Sequence, residues 1–528
     1  MTVFSSFSHQ PRNCILVNLS DVSSEILEDF NRKKVTGLLL ILPEKNFTSD
    51  NLSKIKEIEA YFMSREINYP VFFLNETKEI MELYRKVSEN SDKIKNNKLF
   101  ASLFGINYRT EMVIDNSFST YSTSTGSNKQ YYDKITSSDN LKISNIEGFL
   151  RPFDSSLKTI ALTASYDTFG FIENLSKGYE SNTSGTVFLM EILRGLSSFF
   201  SDTDHKPKFN VLFLFTDGGK YNFYGSEKWI SSKSSNSEGL TLIDSLAQVI
   251  CIESIIKNYS GIKFHVSKLP NPEQFSHVFI DTFKRNKAAE VIHKKVLLSK
   301  DSLDWEHERF SIHRIPAMTI SSWPSVDKIE TRQSILDGLT ITDQEIEKDS
   351  KFMAETASAF SDTLIKILTN GTSSLKENSI TKDTVSQLLK WLLNQRRDTN
   401  HVKYVYESIP ESDKRIVNSL SDYMSKSGLV NVKVESHLWK SPPKKRSSFI
   451  KQKEHVEENT YFGDKSDPSK LLARFLKPID VIFNVPGQDF KLRVIKVHTS
   501  FFDLFISLCI ISYLAVFYYS LTTVSLSH

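Results

Sequence analysis

Chemistry-bearing side chains concentrate in four loops of the 528-residue chain. The loops lie at 165–170 (SYDTFG), 178–185 (GYESNTSG), 216–229 (TDGGKYNFYGSEKW) and 303–310 (LDWEHERF). Carboxylates and imidazoles such as Asp167 and His307 hold metal ions and transfer protons in enzymes. In an α/β sheet, ligands bind beyond the carboxyl ends of the strands. We therefore expect the loops to meet at one such edge and to form the candidate site.

Alternating apolar runs and amphipathic stretches predict the elements that position these loops. Strands are predicted at 159–164, 209–215, 248–252, 262–266 and 316–321, and helices at 186–200 and 275–283. This alternation predicts an α/β fold with a doubly wound sheet. Earlier in the chain, strands at 35–42 and 71–74 flank a helix at 51–62, which predicts a small α/β lobe.

Composition excludes several classes of protein. Hydrophobic residues make up 39% and charged residues 24% of the chain, which is typical of a globular protein. The net charge is only +3, so there is no electrostatic case for binding nucleic acid. Cys14, Cys251 and Cys509 lie far apart without a C-x-x-C pair, which excludes a disulfide framework and a zinc finger.

An apolar segment near the carboxyl end predicts a membrane span. Residues 504–522 (LFISLCIISYLAVFYYSLT) contain no charged side chain. As a helix they would extend about 28 Å, close to the thickness of a bilayer core. Asp503 marks one edge, and Tyr518 and Tyr519 suit the interface at the other.

The topology of this span stays open at the level of sequence. Lys491, Arg493 and Lys496 precede it, which by the positive-inside rule favours a cytosolic domain. N-x-[ST] sequons favour a lumenal domain instead; they lie at Asn18, Asn46, Asn51, Asn75, Asn174, Asn182, Asn258 and Asn370. The first residues have no apolar core like that of a signal peptide. Either the domain is cytosolic and tail-anchored, or the natural chain begins upstream.

In the same order, the four loops resemble those of the zinc aminopeptidases and glutaminyl cyclases. The corresponding patterns there are H-x-D, G-x-x-D-N-x-S-G, E-E-x-G-L-x-G-S and D-H-x-x-F. Within this M28-like superfamily the chain resembles the nicastrin–nicalin branch, from about residue 12 to the membrane span. The resemblance is carried by YDTFG (166–170), SNTSG (181–185), GGKYNFYGSEKW (218–229), HVSK (265–268) and LDWEHERFSIHRIPA (303–317).

The enzymes of this superfamily hold two zinc ions and use a glutamate as general base. By resemblance, the first histidine ligand falls on Ser165 and the bridging aspartate on Ser181. The base and a neighbouring ligand fall within 218–220, around Gly219, where no glutamate occurs. Neutral serines do not supply the anionic charge that holds two dications together.

At three positions of the expected zinc site, the chain keeps a residue type that binds metal ions in other proteins. Glu253 and His307 fall on two of the five ligand positions, and Asp167 keeps the carboxylate of the first loop. We therefore predict a pseudoenzyme: a peptidase fold with no catalytic residues, resident metal or cofactor. In a simpler interpretation, Asp167 caps a turn and His307 is a hydrogen-bonded structural histidine.

The resemblance implies a glycoprotein of the endoplasmic reticulum membrane, with one carboxyl-terminal span and a lumenal domain. It implies a non-enzymatic subunit of a complex with the nodal modulator protein and a small polytopic membrane protein. That complex works beside the Sec translocon in the biogenesis of multi-pass membrane proteins. Two alternatives are a nicastrin-like substrate receptor of an intramembrane protease and a working zinc aminopeptidase.

The predicted organisation has five parts. They are a small N-terminal α/β lobe with a Ser/Thr-rich loop (1–147), a degenerate aminopeptidase-like domain (148–372), a helical region (373–427), a charged linker and juxtamembrane segment (428–500) and a transmembrane helix (501–524). Asn182 and Asn370 are the candidate glycosylation sites. The run 305–310 is expected to form a charge-paired plug in which Arg309 meets a buried carboxylate.

Overall fold

The computed structural model describes two compact units, one of residues 1–136 with 487–528 and one of residues 137–486. The described residues are 2–3, 14–33, 35, 37–43, 49–64, 67, 69, 71–96, 109–115, 140–170, 172, 175–201, 206–257, 261–297, 302–325, 332, 334–371, 373–376, 378–395, 397, 415–440, 491–497 and 500–525.

The first unit contains a four-stranded parallel sheet with the order β1–β2–β3–β4. Its first five strands are β1 (Thr2–Val3), β2 (Cys14–Asn18), β3 (Gly37–Leu42), β4 (Val71–Asn75) and β5 (Arg109–Asp115). Its first three helices are α1 (Ser24–Lys33), α2 (Ser49–Ser64) and α3 (Lys78–Asn96). Every residue of β3 (GLLLIL) is buried, as expected for an inner strand covered on both faces. The predicted N-terminal α/β lobe is confirmed.

The second unit is built around a sheet of eight strands. They are β6 (Asn140–Phe149), β7 (Thr159–Ser165), β8 (Asn210–Thr216), β9 (Leu246–Ile252), β10 (Ile262–Val266), β11 (Ala289–His293), β12 (Ala317–Ser321) and β13 (Val430–Lys440). The helices of this unit are α4 (Ser184–Ser201), α5 (Tyr224–Ser234), α6 (Ser237–Ser245), α7 (Phe275–Asn286), α8 (Glu306–Ile312), α9 (Asp343–Leu368), α10 (Lys382–Leu393) and α11 (Arg415–Lys426).

The eight strands form a mixed sheet with the order β11–β10–β12–β9–β7–β8–β6–β13. The four central strands, β12, β9, β7 and β8, are parallel to one another. Strand β10 is antiparallel to β12, and both β6 and β13 are antiparallel to their neighbours. The α/β fold is therefore as predicted, with antiparallel strands added on both sides of a parallel centre.

Both faces of the sheet are covered by apolar packing. Successive side chains of a strand point to opposite faces. In β8, Phe213 and Phe215 belong to the larger core cluster, which includes residues of α4, α7 and α9. Leu212 and Leu214 belong to a second cluster with Trp229 of α5 and residues of α6 and α8. This double covering explains why the predicted strand 209–215 is almost wholly apolar.

Three segments differ from the sequence-based expectation. Val430–Lys440, predicted as linker, is the edge strand β13, which pairs with β6. Lys491–Val497 is also a strand, β14, paired antiparallel with β5 in the first unit. Residues 140–145, predicted as the end of a loop, begin β6. Strands at an edge are partly exposed and carry charged residues, which hides their periodicity.

Other predicted segments lie outside the described residues. They include 116–139 of the Ser/Thr-rich loop, 398–414 of the helical region, and 441–490 of the linker with its basic run at 444–446. Within the predicted helical region, the stretches 384–395 (TVSQLLKWLLNQ) and 413–424 (DKRIVNSLSDYM) correspond to α10 and α11. The division of the chain into five parts stays a prediction.

The apolar segment near the carboxyl end forms helix α12 (Ser500–Ser525) in the first unit. Its described apolar side chains are exposed, with Ile511 at 61%, Val516 at 70% and Tyr513 at 70%. Judged over the described residues alone, no helix combines the length and apolarity needed to cross a membrane.

Candidate functional site

The first and third loops meet at the carboxyl ends of β7 and β8. Ser165 Oγ lies 2.9 Å from Thr216 Oγ1, its partner in the register of the two strands. A Cβ atom added to Gly219 would lie 2.4 Å from Ser165 Oγ. The third loop therefore passes directly over Ser165, and only a glycine permits that approach.

Asp167 fixes the backbone of the third loop rather than facing solvent. Its Oδ1 accepts the N–H of Gly219 at 2.9 Å, and its Oδ2 accepts the N–H of Lys220 at 3.0 Å. The Asn182 amide donates to the Asp167 carbonyl oxygen at 2.7 Å. Burial raises the pKa of Asp167, against the effects of these hydrogen bonds and of the Lys220 charge. The turn-capping role is the one that this geometry supports.

Lys220 places an ammonium group at the centre of the loops. Its side chain is 1% exposed, and Nζ donates a hydrogen bond to Ser181 Oγ. Burial lowers the pKa of Lys220 to about 8, while the negative charges of Asp337, Asp167 and Glu253 act in the opposite direction. The lysine therefore lies among three carboxylates, within the segment 218–220 to which the family resemblance assigns the general base.

Asp337 completes this arrangement from a distant part of the chain. Its Oδ1 accepts the N–H of Glu180 at 2.7 Å, and its Oδ2 accepts the N–H of Ser181 at 3.2 Å and the Ser181 hydroxyl. These donors lie in the short π-helical turn Tyr179–Thr183 that leads into α4. Asp167, Ser181, Lys220 and Asp337 are called the lysine cluster below.

Glu253, at the carboxyl end of β9, is paired with a second buried cation. Arg332 Nε lies 2.7 Å from Glu253 Oε1, and both side chains are less than 10% exposed. Arg332 Nη1 also donates to the Asp304 carbonyl oxygen at 2.9 Å. Burial raises the pKa of Glu253, and the positive charges of Arg332 and Lys220 act against that rise.

The two polar residues at the start of α8 are buried beneath the loops. Glu306 Oε1 accepts hydroxyl hydrogen bonds from Ser226 at 2.5 Å, Thr216 at 3.1 Å and Thr163 at 3.4 Å. Burial raises the pKa of Glu306 to about 7. His307 Nδ1 lies 2.8 Å from Thr319 Oγ1, and burial lowers the pKa of His307 to about 3. His307 is therefore a neutral residue of the core.

The remaining polar residues of α8 form the expected charge-paired plug. Arg309 Nη1 lies 3.7 Å from Glu227 Oε2, and its Nη2 donates to the Asn222 carbonyl oxygen. Glu308 Oε2 accepts the N–H of Asp304 at 2.9 Å. All four polar residues from Glu306 to Arg309 are at most 3% exposed. Together with Glu227 they are called the α8 cluster.

The donor set does not fit the dinuclear zinc site of the metal enzymes. Ser165 and Ser181 are engaged with Thr216 and with Asp337 and Lys220, and Gly219 offers no side chain. Among the described residues, no group of three or more histidine, cysteine or carboxylate side chains is arranged to hold a metal ion. Lys220 and Arg332 place positive charge beside the carboxylates, where a second cation would be repelled.

The glycan predicted at Asn182 does not fit this fold. Asn182 is 5% exposed, and its amide nitrogen, the atom that carries a glycan, donates to both the carbonyl oxygen and Oδ1 of Asp167. In contrast, Asn370 lies on the surface just after α9, with a positive φ of 58°. Asn370 therefore stays a candidate.

Sequence reasoning missed the charges that fill the site. The sequence prediction for 218–220 is only that a glutamate is missing, and it assigns no role to Lys220. It also assigns none to Asp337, Arg332 or Arg397. Arg397 donates to the carbonyl oxygens of Tyr166 and Lys177 at 2.9 and 2.7 Å, which ties the first two loops together. The charged partners of the loop 216–229 are distant along the chain, so no local sequence pattern predicts which residues pair.

Comparisons with known proteins agree with this architecture. Residues 158–359 match the family model of the nicastrin large lobe. The human protein named BOS complex subunit NCLN is 26% identical over 530 residues, covering 98% of this chain and 83% of the relative. Nicalin of Caenorhabditis elegans is 30% identical over 317 residues, 55% of each chain. The crystal structure of nicastrin, a γ-secretase component, superposes with a TM-score of 0.53 at 14% identity, covering 93% of this chain and 92% of that one.

The sheet and the loops at its edge define a protein with a peptidase-like fold in which buried charged side chains fill the edge where the loops meet. The chain is similar to the nicastrin–nicalin family: residues 158–359 match the nicastrin large lobe, and nearly the whole chain is similar to BOS complex subunits of vertebrates.

Proposed function

We propose that this chain is a non-enzymatic subunit of an endoplasmic reticulum membrane complex equivalent to the BOS complex. The complex would act beside the Sec translocon during biogenesis of multi-pass membrane proteins. Its other subunits would be a nodal modulator protein and a small polytopic membrane protein. The observation that carries the proposal is the similarity to several BOS complex subunits over 96–98% of the chain.

The chemistry of the site supports a structural rather than a catalytic role. A hydrolase of this class needs a metal-bound water and a carboxylate that takes its proton. Here the positive charges of Lys220, Arg332 and Arg397 lie beside the carboxylates of Asp167, Asp337 and Glu253 within the protein. Since Ser181 and Lys220 are each 1% exposed, a substrate has no access to them in this state.

Membrane anchoring would be provided by α12. Leu508, Ile511, Leu514, Val516 and Phe517 are all more than half exposed on this helix. Exposed apolar area of this extent favours transfer out of water at about 25 cal/mol per Å². Extraction of membranes at alkaline pH should leave the full-length chain in the pellet, and release into the supernatant would contradict an anchor.

The topology proposed for the second unit is lumenal. Asn370 is a surface sequon among the described residues of this unit, so Asn370→Gln should remove a glycan and increase electrophoretic mobility. Asn182→Gln is the matched control and should leave the glycan pattern unchanged, because Asn182 is buried. Cleavage of the second unit by protease added to sealed microsomes would contradict the lumenal assignment.

Purification of the tagged full-length chain in mild detergent tests the assembly itself. Proteomics should recover a nodal modulator protein, a small polytopic membrane protein and Sec translocon subunits in stable ratios. A tagged unrelated single-pass protein of the same membrane serves as the control. Recovery of an intramembrane protease in place of these partners would favour the nicastrin-like receptor and would overturn the proposal.

A further inference from the structure

Two of the sequon asparagines that the structure describes are exposed, Asn75 in the first unit and Asn370 in the second. Asn18 and Asn51 are half-buried, and Asn182 is buried. An N-linked glycan is bulky and hydrophilic, so the asparagine that carries it must lie on the surface of the folded protein. Exposure therefore separates Asn75 from the other sequons of the first unit that the structure describes.

Asn75 is the last residue of β4, and the strand fixes its position. It pairs in register with Leu42 of β3, and the N–H of Glu76 donates to the Leu42 carbonyl oxygen at 2.9 Å. The Asn75 side chain forms no hydrogen bond with any described residue. Its amide nitrogen, the atom that carries a glycan, can therefore be modified without loss of a contact within the fold.

The third residue of this sequon, Thr77, is exposed and is the N-cap of α3. Its Oγ1 accepts the N–H of Ile80 at 3.3 Å, and its carbonyl oxygen accepts the N–H of Met81 at 2.9 Å. Aspartate caps helices as well as threonine does, since its side-chain oxygen accepts the same hydrogen bond. The sequon can therefore be removed at Thr77 while the helix cap is kept.

Strand β4 lies at one end of the sheet order β1–β2–β3–β4, and among the described strands it pairs with β3 alone. Its sequence, VFFLN, has neither a charged residue nor a proline, and its four apolar residues are half-buried. Phe72 and Leu74 pack against the apolar core of this unit, and the Phe73 ring lies 6.2 Å from that of Phe62. An apolar edge strand pairs readily with strands of other molecules unless something blocks its open backbone groups.

From this placement we infer that Asn75 carries an N-linked glycan that shields the outer edge of β4 from pairing with other chains. The glycan would start at the last residue of the strand, where a bulky hydrophilic chain hinders the approach of a second strand. The edge strand β13 of the second unit carries charged residues instead, among them Lys433 and Glu435. The inference rests on the lumenal topology proposed above and extends it to the first unit.

The modification is tested by the electrophoretic mobility of the full-length chain, expressed from its natural gene, before and after endoglycosidase treatment. Asn75→Gln should remove one glycan. Thr77→Asp should remove the same glycan, because aspartate keeps the helix cap but not the sequon. Glu76→Gln keeps the sequon and is the matched control, with unchanged mobility. After the enzyme treatment all four chains should migrate together.

Asn370→Gln separates failure of this inference from failure of the proposed topology. If Asn370→Gln loses a glycan and Asn75→Gln does not, the second unit is lumenal and the inference is overturned. If endoglycosidase leaves the mobility of the unsubstituted chain unchanged, the lumenal topology and the inference are both overturned.

The shielding role is tested by the association of the purified chain in detergent. After mild heating, Asn75→Gln should at least double the fraction of oligomers found by size-exclusion chromatography with light scattering. Asn75→Lys also loses the glycan but adds a charge to the strand end, so it should associate less than Asn75→Gln. Asn370→Gln, which loses a glycan of the second unit, is the control and should match the unsubstituted chain. Equal oligomer fractions in Asn75→Gln and the unsubstituted chain would overturn the shielding role.

Discussion

The lysine cluster and the α8 cluster are both buried, yet they accommodate negative charge in different ways. In the lysine cluster, Lys220 lies among carboxylates and lowers the cost of keeping them ionised. In the α8 cluster, the described partners of Glu306 are the hydroxyl groups of Thr163, Thr216 and Ser226. Burial then raises the pKa of Glu306 to about 7, so that the group holds its proton in weakly acidic solution.

The difference shows two ways in which a fold can accommodate buried carboxylates. An ionised carboxylate that leaves water must be paired with a cation, or it takes up a proton and becomes neutral. The carboxylates around Lys220 follow the first route, pairing with a cation. Glu306 follows the second, taking up a proton. The first makes the fold sensitive to loss of the cation, and the second makes it sensitive to pH.

Removal of the Lys220 charge should have the largest effect. Lys220→Ala removes one of the two buried cations, Lys220 and Arg397, whose charges act on Asp167 and Asp337. Breaking a buried ion pair from one side costs about 3–5 kcal/mol. The free energy of unfolding of the full-length chain in detergent, measured by urea titration, should fall by that amount. Lys382→Ala removes a lysine from the exposed pair with Glu347 and is the control, with an expected change of about 0.5 kcal/mol or less.

The double variant Lys220→Met with Asp337→Asn refines this test. It removes both charges and keeps both side-chain lengths, so much of the lost stability should return. A double variant as unstable as Lys220→Ala would mean that the packing of Lys220, rather than its charge, stabilises the cluster.

Arg309→Ala should have a smaller but clear effect. It removes the guanidinium next to Glu227, but Glu227 keeps its 3.0 Å contact with His313. We expect a loss of about 2–3 kcal/mol and a lower melting temperature in thermal denaturation. Arg314→Ala, a nearby exposed arginine, is the control. Unchanged stability of Arg309→Ala would contradict the plug and favour a binding role for Arg309.

Glu306→Gln should change how stability depends on pH. The folded pKa of Glu306, about 7, exceeds its unfolded value, so between about pH 4.5 and 7 the folded state binds more protons. Glu306 therefore stabilises the fold less as pH rises through this window. The stability of the unsubstituted chain relative to Glu306→Gln should fall by about 1–3 kcal/mol from pH 4.5 to 7. A difference that is constant with pH would contradict this protonation.

Metal should have no effect on either cluster. Elemental analysis of the full-length chain purified in detergent should find no stoichiometric zinc. Neither added zinc nor a chelator should move the melting temperature, because Lys220, Arg332 and Arg397 already place three positive charges beside the carboxylates. Two zinc ions per chain, with peptidase activity that a chelator abolishes, would show that the metal site still works.

Most of the elements were predictable because their signals are local. The run 209–215 became β8, the run 159–164 became β7, and the amphipathic stretch at 275–283 lies in α7. Strand β13 was missed because an edge strand has one bonded neighbour and needs few apolar residues. Its Lys433 and Glu435 resemble a solvated linker until the pairing with β6 is known.

The candidate site was predictable in its losses but not in its replacements. Substitution of expected ligands by Ser165, Ser181 and Gly219 is visible in the loop patterns themselves. The glycan expected at Asn182 was wrong for the fold, because a sequon records residue types and not burial. Asn182 turned out to support Asp167 from inside the protein.

The sequence by itself determined the alternation of strands and helices, the presence of Ser165, Ser181 and Gly219 where the resemblance expects metal ligands or the base, and the position of the apolar segment near the carboxyl end. Each of these depends on residues that are close together along the chain. The tertiary structure decided what fills the site, since Ser181 and its partner Asp337 are 156 residues apart. Such a pair forms only when β7 and β12 bring the segments that follow them to one edge. Burial there makes charge pairing decisive, since water no longer screens it.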